Sequence, residues 1–301
     1  MTPVTTIGGF AQGRWEDVLR RACAVAGLEA AGARVLRGHT NAVVLLERES
    51  VVVKIARHGS RPADAVRTVR FVRWLMEQGF PTVPLHPVAA EQPVVVDGHA
   101  VTFWTYLPQP DHPVRAEQLA PLLHALHRLG PPPVELPARD TVAAIASSLG
   151  GITDVPARLV DVLSVRLRAL AEELAEVRFP YPETVVQGDP QHRNALHHGG
   201  EAVLCDWDTV ARGHREWDLV TVEIHCRRFG YGDAHYRDFA SSYGRDITSW
   251  EGYSTLRDLR ELRMITTNAR KIGHAPGSRA EVIRRIEGLI EGDTTLRWHI
   301  L

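Results

Sequence analysis

Cysteine is scarce: three in 301 residues, Cys23, Cys205 and Cys226. An odd number, widely spaced and without a CxxC pair, argues against a disulfide framework or a zinc site and for reduced thiols in a cytoplasmic chain. Each is expected to pack as a small hydrophobe. No run of about eighteen apolar residues occurs, so no conventional transmembrane helix is expected. Met1 to Gly13 lacks a basic n-region and an apolar h-region and reads as a tail, not a signal peptide. No block of five like charges interrupts a chain of formal charge -1, so neither a nucleic-acid backbone nor an anionic membrane finds an electrostatic footprint. No internal repeat is apparent, which removes solenoids and propellers.

What is present is ordinary globular material, 44% hydrophobic and 24% charged, long enough for two lobes around a cleft or for one large domain. Trp15 to Leu28 carries apolar residues at helical spacing. Arg34 to Arg37, Ala42 to Glu47 and Val51 to Ala56 read as an antiparallel meander. Pro62 to Gly79 returns to a helical period, with proline suited to its first turn and glycine to its C-terminal cap. Val94 to Val96 and Ala100 to Tyr106 form a hairpin turned by Asp97-Gly98. Pro108, Pro110 and Pro113 then stop the sheet. We expect a small lobe over residues 1–107 and a larger, mainly helical one over 108–301.

Helices are expected in that second part at Ala116 to Leu129, Ala157 to Val177, Glu216 to Arg228, Ala234 to Tyr243, Leu256 to Lys271 and Arg279 to Glu291. Leu129 to Pro137 reads as a polyproline connector. The break in the helical half lies at Glu183 to Val210, where Thr184 to Val186 and Ala202 to Leu204 read as strands flanking a polar loop.

That loop runs Gln187-Gly188-Asp189-Pro190-Gln191-His192-Arg193-Asn194, with Cys205-Asp206-Trp207-Asp208 after the next strand. Phosphoryl transfer needs a carboxylate to orient an attacking hydroxyl and hard oxygen ligands for the magnesium that bridges the phosphates. Asp189, Asn194 and Asp206 offer both. An Asp five residues before some Asn arises by chance roughly one time in seven. The joint occurrence with flanking strands, a preceding glycine and the second Asp is what carries weight.

The segment resembles the aminoglycoside phosphotransferase family, relatives of the protein kinases. The resemblance implies a bilobal, protein-kinase-like α+β fold with an antiparallel-sheet N-lobe and a helical C-lobe. It implies Asp189 as catalytic base or hydroxyl orienter, Asn194 and Asp206 as magnesium ligands, and ATP with Mg2+ as cofactors. Gly213 to Leu219 resembles the family's segment after the metal Asp, with Asp218 bracing the loop. Leu122 to His127 resembles the Leu-His helix. Arg37 to Val43, with Gly38, resembles the phosphate-covering hairpin, and Val52-Val53-Lys54-Ile55 the lysine strand. Phe103 to Leu107 resembles the hinge, with Trp104, Tyr106 and Leu107 beside the nucleotide.

Three positions depart from the family pattern. Gln187 stands where His is usual, Thr68 stands where the small-lobe helix usually offers a Glu to the lysine, and the hairpin has one glycine. The resemblance spans about residues 33 to 273.

Nine residues separate Asp206 from Glu216, too few for a protein kinase's activation segment, so a small-molecule hydroxyl acceptor is expected. From Asp206 onward the chain has 15 acidic and 15 basic residues, which gives no composition-level support for a polycationic acceptor. Sugars, amino alcohols and nucleoside antibiotics stay open, as does ATP against GTP. A monomer or weak homodimer is expected. The alternative is a nucleotide-binding scaffold of the pseudokinase kind, without turnover.

Overall fold

The structure is a computed structural model that describes residue 10, residues 14–38 and residues 41–301. Apart from Phe10, the segment read as an N-terminal tail lies outside the described residues, as do positions 39 and 40 of the segment expected to cover the phosphates. Two compact units form. One holds Met1–His112, Pro132–Leu136 and Leu196–Asp208; the other holds Pro113–Pro131, Pro137–Ala195 and Thr209–Leu301. Where the sequence suggests a single cut after residue 107, the chain re-enters the first unit twice.

The first unit is built on a five-stranded sheet of order β1-β2-β3-β5-β4. Its strands are β1 (Arg34–Arg37), β2 (Ala42–Leu46), β3 (Val51–Ile55), β4 (Val94–Val96) and β5 (His99–Thr105), all antiparallel. Alternation decides its faces. Val51, Val53 and Ile55 of β3 are fully buried in one apolar core with helix α1 (Arg14–Ala26), whose Trp15, Val18, Leu19, Ala22 and Cys23 supply the helical stripe. Val52 and Lys54 therefore face the other way. Asp97 and Gly98 both have positive φ, 48° and 79°, as a two-residue hairpin between right-twisted strands requires. Helix α2 (Pro62–Glu77) starts with proline at its first turn and buries Phe71, Val72 and Leu75. Phe71 packs edge-on against Trp207, with ring centroids 5.3 Å apart.

The second unit is a helical assembly: α3 (Ala116–Leu126), α4 (Thr141–Leu149), α5 (Ala157–Glu176), α6 (Glu216–Arg228), α7 (Asp233–Tyr243), α8 (Tyr253–Ala269) and α9 (Arg279–Ile290). Helix α8 packs against α4, α5, α6 and α9, and α3 against α7. Helix α4 is not expected from the sequence. Its nine residues are mostly small, so apolar periodicity is faint. The legible signal is Asp140, whose side chain caps the helix by accepting from the Ala143 N–H at 2.8 Å.

The strands around the polar loop also differ from expectation. β6 (Thr184–Val186) pairs with β9 (Ala211–Gly213), while β7 (Ala195–His198) pairs with β8 (Glu201–Leu204). β7 and β9 are short and carry His, Arg and Gly, which hides them from propensity. Gly199 and Gly200, at φ 58° and 89°, turn the β7–β8 hairpin. Among the described residues no helix is long and apolar enough to cross a membrane, and all three cysteines are free thiols.

Candidate active site

In the second unit, β6 delivers the loop and Asp218 of α6 holds its base. The N–H groups of Gln187 and Gly188 each donate to an Asp218 carboxylate oxygen at 2.8 Å. His127 Nε2 lies 3.0 Å from the same carboxylate and its Nδ1 lies 2.8 Å from the Tyr243 hydroxyl. A carboxylate only accepts, so the proton sits on Nε2. Asp218 is fully buried, and these three donors compensate its desolvation. Gly188 adopts φ +87°, and a Cβ there would stand 2.3 Å from the Thr209 carbonyl oxygen and 2.7 Å from Arg139 Nη1. Only glycine fits.

This brace fixes Asp189. Its N–H donates to Gln187 Oε1 at 2.7 Å, so the glutamine that replaces the family's histidine still ties down the loop. Asn194 Nδ2 donates to the Asp189 carbonyl at 2.9 Å and reaches its carboxylate at 3.3 Å. With Nδ2 turned inward, Oδ1 is the atom that Asn194 would give a metal. Gln191 Nε2 donates to Asp189 Oδ2 at 2.7 Å, and Arg260 of α8 forms an ion pair with Oδ1. The Arg260 contact is not legible in the sequence, because it bridges 71 residues.

In the first unit, Lys54 Nζ sits between two carboxylates, 2.8 Å from Asp206 Oδ1 and 2.7 Å from Asp208 Oδ2. The short ladder that joins Val83 N–H to the Leu204 carbonyl, and Leu204 N–H to that of Pro81, carries β8 to the sheet unit. Asp206, the residue two beyond β8, has a left-handed φ of 56°, which Asp tolerates and bulkier residues resist. Burial opposes the charge on Asp206, but Lys54 and then Arg37 outweigh it and hold the carboxyl below its usual range. Burial likewise pulls on Lys54, and the two carboxylates override it and raise its pKa.

The lysine's partner, which the sequence leaves open, is thus this acidic pair. Thr68, at the position where a Glu is usual, donates its hydroxyl to the Asp64 carbonyl within α2, and the Asp64 side chain bonds Arg67 at 2.7 Å. Asn41, just past the hairpin tip, places Nδ2 3.4 Å from Asp208. Gly38 follows β1 and is half-buried. Trp104 and Leu107 pack with Val83, Val203, Leu196 and Cys205 in a small apolar cluster. The Tyr106 N–H donates to the Ser50 carbonyl at 2.9 Å.

Cys226 also meets His192 and His235, with donor atoms within 4.8 Å of one another. The Ala116 N–H donates to His235 Nε2 at 3.0 Å, and His192 Nε2 lies 2.8 Å from the same atom. Hydrogen bonds thereby occupy the His235 lone pair that a metal would need.

A five-stranded antiparallel sheet carrying a paired lysine, and a helical unit carrying a braced Asp-Asn loop, define a protein-kinase-like α+β fold. Similar solved structures include an amicoumacin kinase in complex with AMP-PNP, Ca2+ and Ami, at TM-score 0.68 and 15% identity, covering 94% of this chain and 95% of that one. Choline kinase LicA from Streptococcus pneumoniae matches at TM-score 0.64 and 13% identity, covering 92% and 100%. A spectinomycin phosphotransferase in complex with ADP and its antibiotic matches at 0.63 and 15%, covering 92% and 94%. Residues 32–259 match the model of the phosphotransferase enzyme family, and the chain belongs to that family, which includes the aminoglycoside phosphotransferases. No curated protein matches the sequence.

Proposed function

We propose that the chain is an ATP-dependent phosphotransferase that moves the γ-phosphoryl group to a hydroxyl of a small molecule. The observation that carries this reading is the Lys54 ammonium held by Asp206 and Asp208. A nucleotide's phosphates compete for the ammonium and a divalent cation competes for the carboxylates. Mg-nucleotide binding can therefore exchange partners without leaving a charge bare. Relatives solved with AMP-PNP and with ADP support a nucleotide as donor. Trp104 near the end of β5 and Leu107 just beyond it, in one apolar cluster, suit a base, with Tyr106 beside them.

Asp206 and the Asn194 amide oxygen are hard donors of the kind magnesium takes, and the ion when bound would neutralise phosphate charge. The rest is the work of this chain's residues. Asp189 accepts a hydrogen bond from the acceptor hydroxyl and orients its oxygen toward the γ-phosphorus. The new bond joins that oxygen to phosphorus, the bond from phosphorus to the β–γ bridging oxygen breaks, and the acceptor's proton passes to Asp189. Asp218 and Gln187 keep the carboxylate aimed.

Screening alcohol-bearing metabolites and antibiotics with γ-labelled ATP tests the reading. Label transfer should appear in the wild type and fall about 10²- to 10⁴-fold in Asp189→Asn, with ATP affinity nearly intact. Tight nucleotide binding with no transfer to any acceptor would favour the scaffold alternative, to which the Arg260 contact on Asp189 lends its one specific support.

A further inference from the structure

The helices around Asp189 use up their acids locally. On α8, Asp258 pairs with Arg166 and Arg257, and Glu261 with Arg227 and Arg228. On α6, Glu216 pairs with Arg245, and Asp218 is taken by two loop N–H groups and His127. Three guanidinium groups, those of Arg139, Arg260 and Arg263, are left around the loop with two carboxylates, Asp218 and Asp189, both of which act on Arg139. Arg263 donates to the Ala144 carbonyl and the Ser148 hydroxyl, and Arg139 to the Gly188 carbonyl. These neutral acceptors satisfy donors but cancel no charge.

Part of this surplus is buried, with Arg260 inside and Arg139 and Arg263 half-buried. Arg260 is 7% exposed, and the Nε groups of Arg260 and Arg139 are buried with no hydrogen-bond partner among the described residues. Buried donors in native proteins nearly always have partners, so two such orphans at one site call for an acceptor. The electrostatics agree. Burial first and the Arg260 charge next push the Arg139 pKa down to about 10. The same two causes, in the same order, lower Arg263 and the buried His225.

Resting on the phosphotransferase reading, we propose that Arg260 and Arg139 form an anion subsite beside Asp189, so the acceptor is a hydroxyl compound carrying a carboxylate or phosphate group. Asp189 takes the hydroxyl while the guanidinium forks take the anionic oxygens, which suit such planar, multidentate recognition. A polyamine alcohol would set its ammonium groups against the same surplus.

The test uses the full chain with MgATP and measures ADP release for glycerate against glycerol, glucose 6-phosphate against glucose, and kanamycin. Calorimetric binding of each compound is measured alongside. At least one anionic acceptor should exceed its neutral counterpart in kcat/KM by about tenfold or more. In Arg260→Gln that ratio should fall toward unity with the ATP KM unchanged, and Arg260→Lys should recover part of it. Whatever the variant does to kcat through Asp189 is common to every acceptor and drops out of the ratio. If Arg260→Gln fails to fold, Arg139→Gln provides the same ratio. Preference for glycerol, glucose or kanamycin, or no binding of either anion at millimolar concentration, overturns the subsite and leaves phosphotransfer standing. Anion binding that is lost in Arg260→Gln, with no ADP release from any acceptor, overturns phosphotransfer and keeps the subsite.

Discussion

At the scale of single residues, Lys54 is one of only two lysines among 35 basic residues; nearly every other cation of the chain is a guanidinium. The exception has a geometric reason. An ammonium is a compact point charge that can sit 2.8 and 2.7 Å from two carboxylates at once, whereas a planar fork on a longer stem cannot occupy that point. Lys54→Arg should therefore raise the KM for ATP by about tenfold or more although the charge is kept; steady-state titration of ATP measures it, and an unchanged KM would remove Lys54 from the nucleotide site. The sequence makes Lys54 visible through its place between Val53 and Ile55 on an alternating strand. Its acidic partners are hidden, because the contacts bridge 152 and 154 residues. Gln187 shows the reverse case, a departure from the family's histidine that the structure explains by its bond to the Asp189 N–H.

At the scale of elements, α6 and α8 support the loop. The expected bounds of α6 match the observed Glu216–Arg228, because a buried helix flanked by Gly213 and Gly230 is well punctuated. By contrast α4, β7 and β9 are too short or too polar for pattern to reveal. Asp218→Ala would orphan two loop N–H groups and the His127 imidazole in a dry interior, a loss of about 2–4 kcal/mol in urea unfolding, together with turnover as Asp189 loses its brace. A second consequence concerns pH. His225 of α6 is buried, stacked on Phe229, and faces the charges of Arg260 on α8, His192 and Arg193 in the loop, and Arg285 on α9. Burial first, then these neighbours, keep its pKa well below the ordinary value. The unfolded chain takes up a proton near pH 6.5 that the folded chain refuses, so this contribution to stability is present above about pH 6.5 and is lost as pH falls. In His225→Leu the decline in stability from pH 7 to pH 5 should be shallower than in the wild type. Parallel declines in urea midpoints would show that His225 does not titrate against folding.

At the scale of the whole molecule, the sequence suggests a single cut after residue 107 and gives no sign of the double return of the chain to the sheet unit. Residues 132–136 and 196–208 belong there, and no local pattern announces a long-range visit of that kind. The second visit matters, since it carries Asp206 and Asp208 to Lys54. Nucleotide binding should therefore stabilise the chain through one acidic residue. At a hundredfold excess over Kd a ligand adds about 2.7 kcal/mol to the folded state, which thermal denaturation with and without Mg-AMP-PNP detects as a rise in Tm. In Asp206→Ala the lysine keeps Asp208 as its partner, so the free protein should fold. The variant has lost the carboxylate proposed for the metal, and its Tm should rise little when the Mg-nucleotide is added. Equal shifts in wild type and variant would mean that the nucleotide binds without Asp206, and the metal assignment would then fall even if phosphotransfer itself were observed.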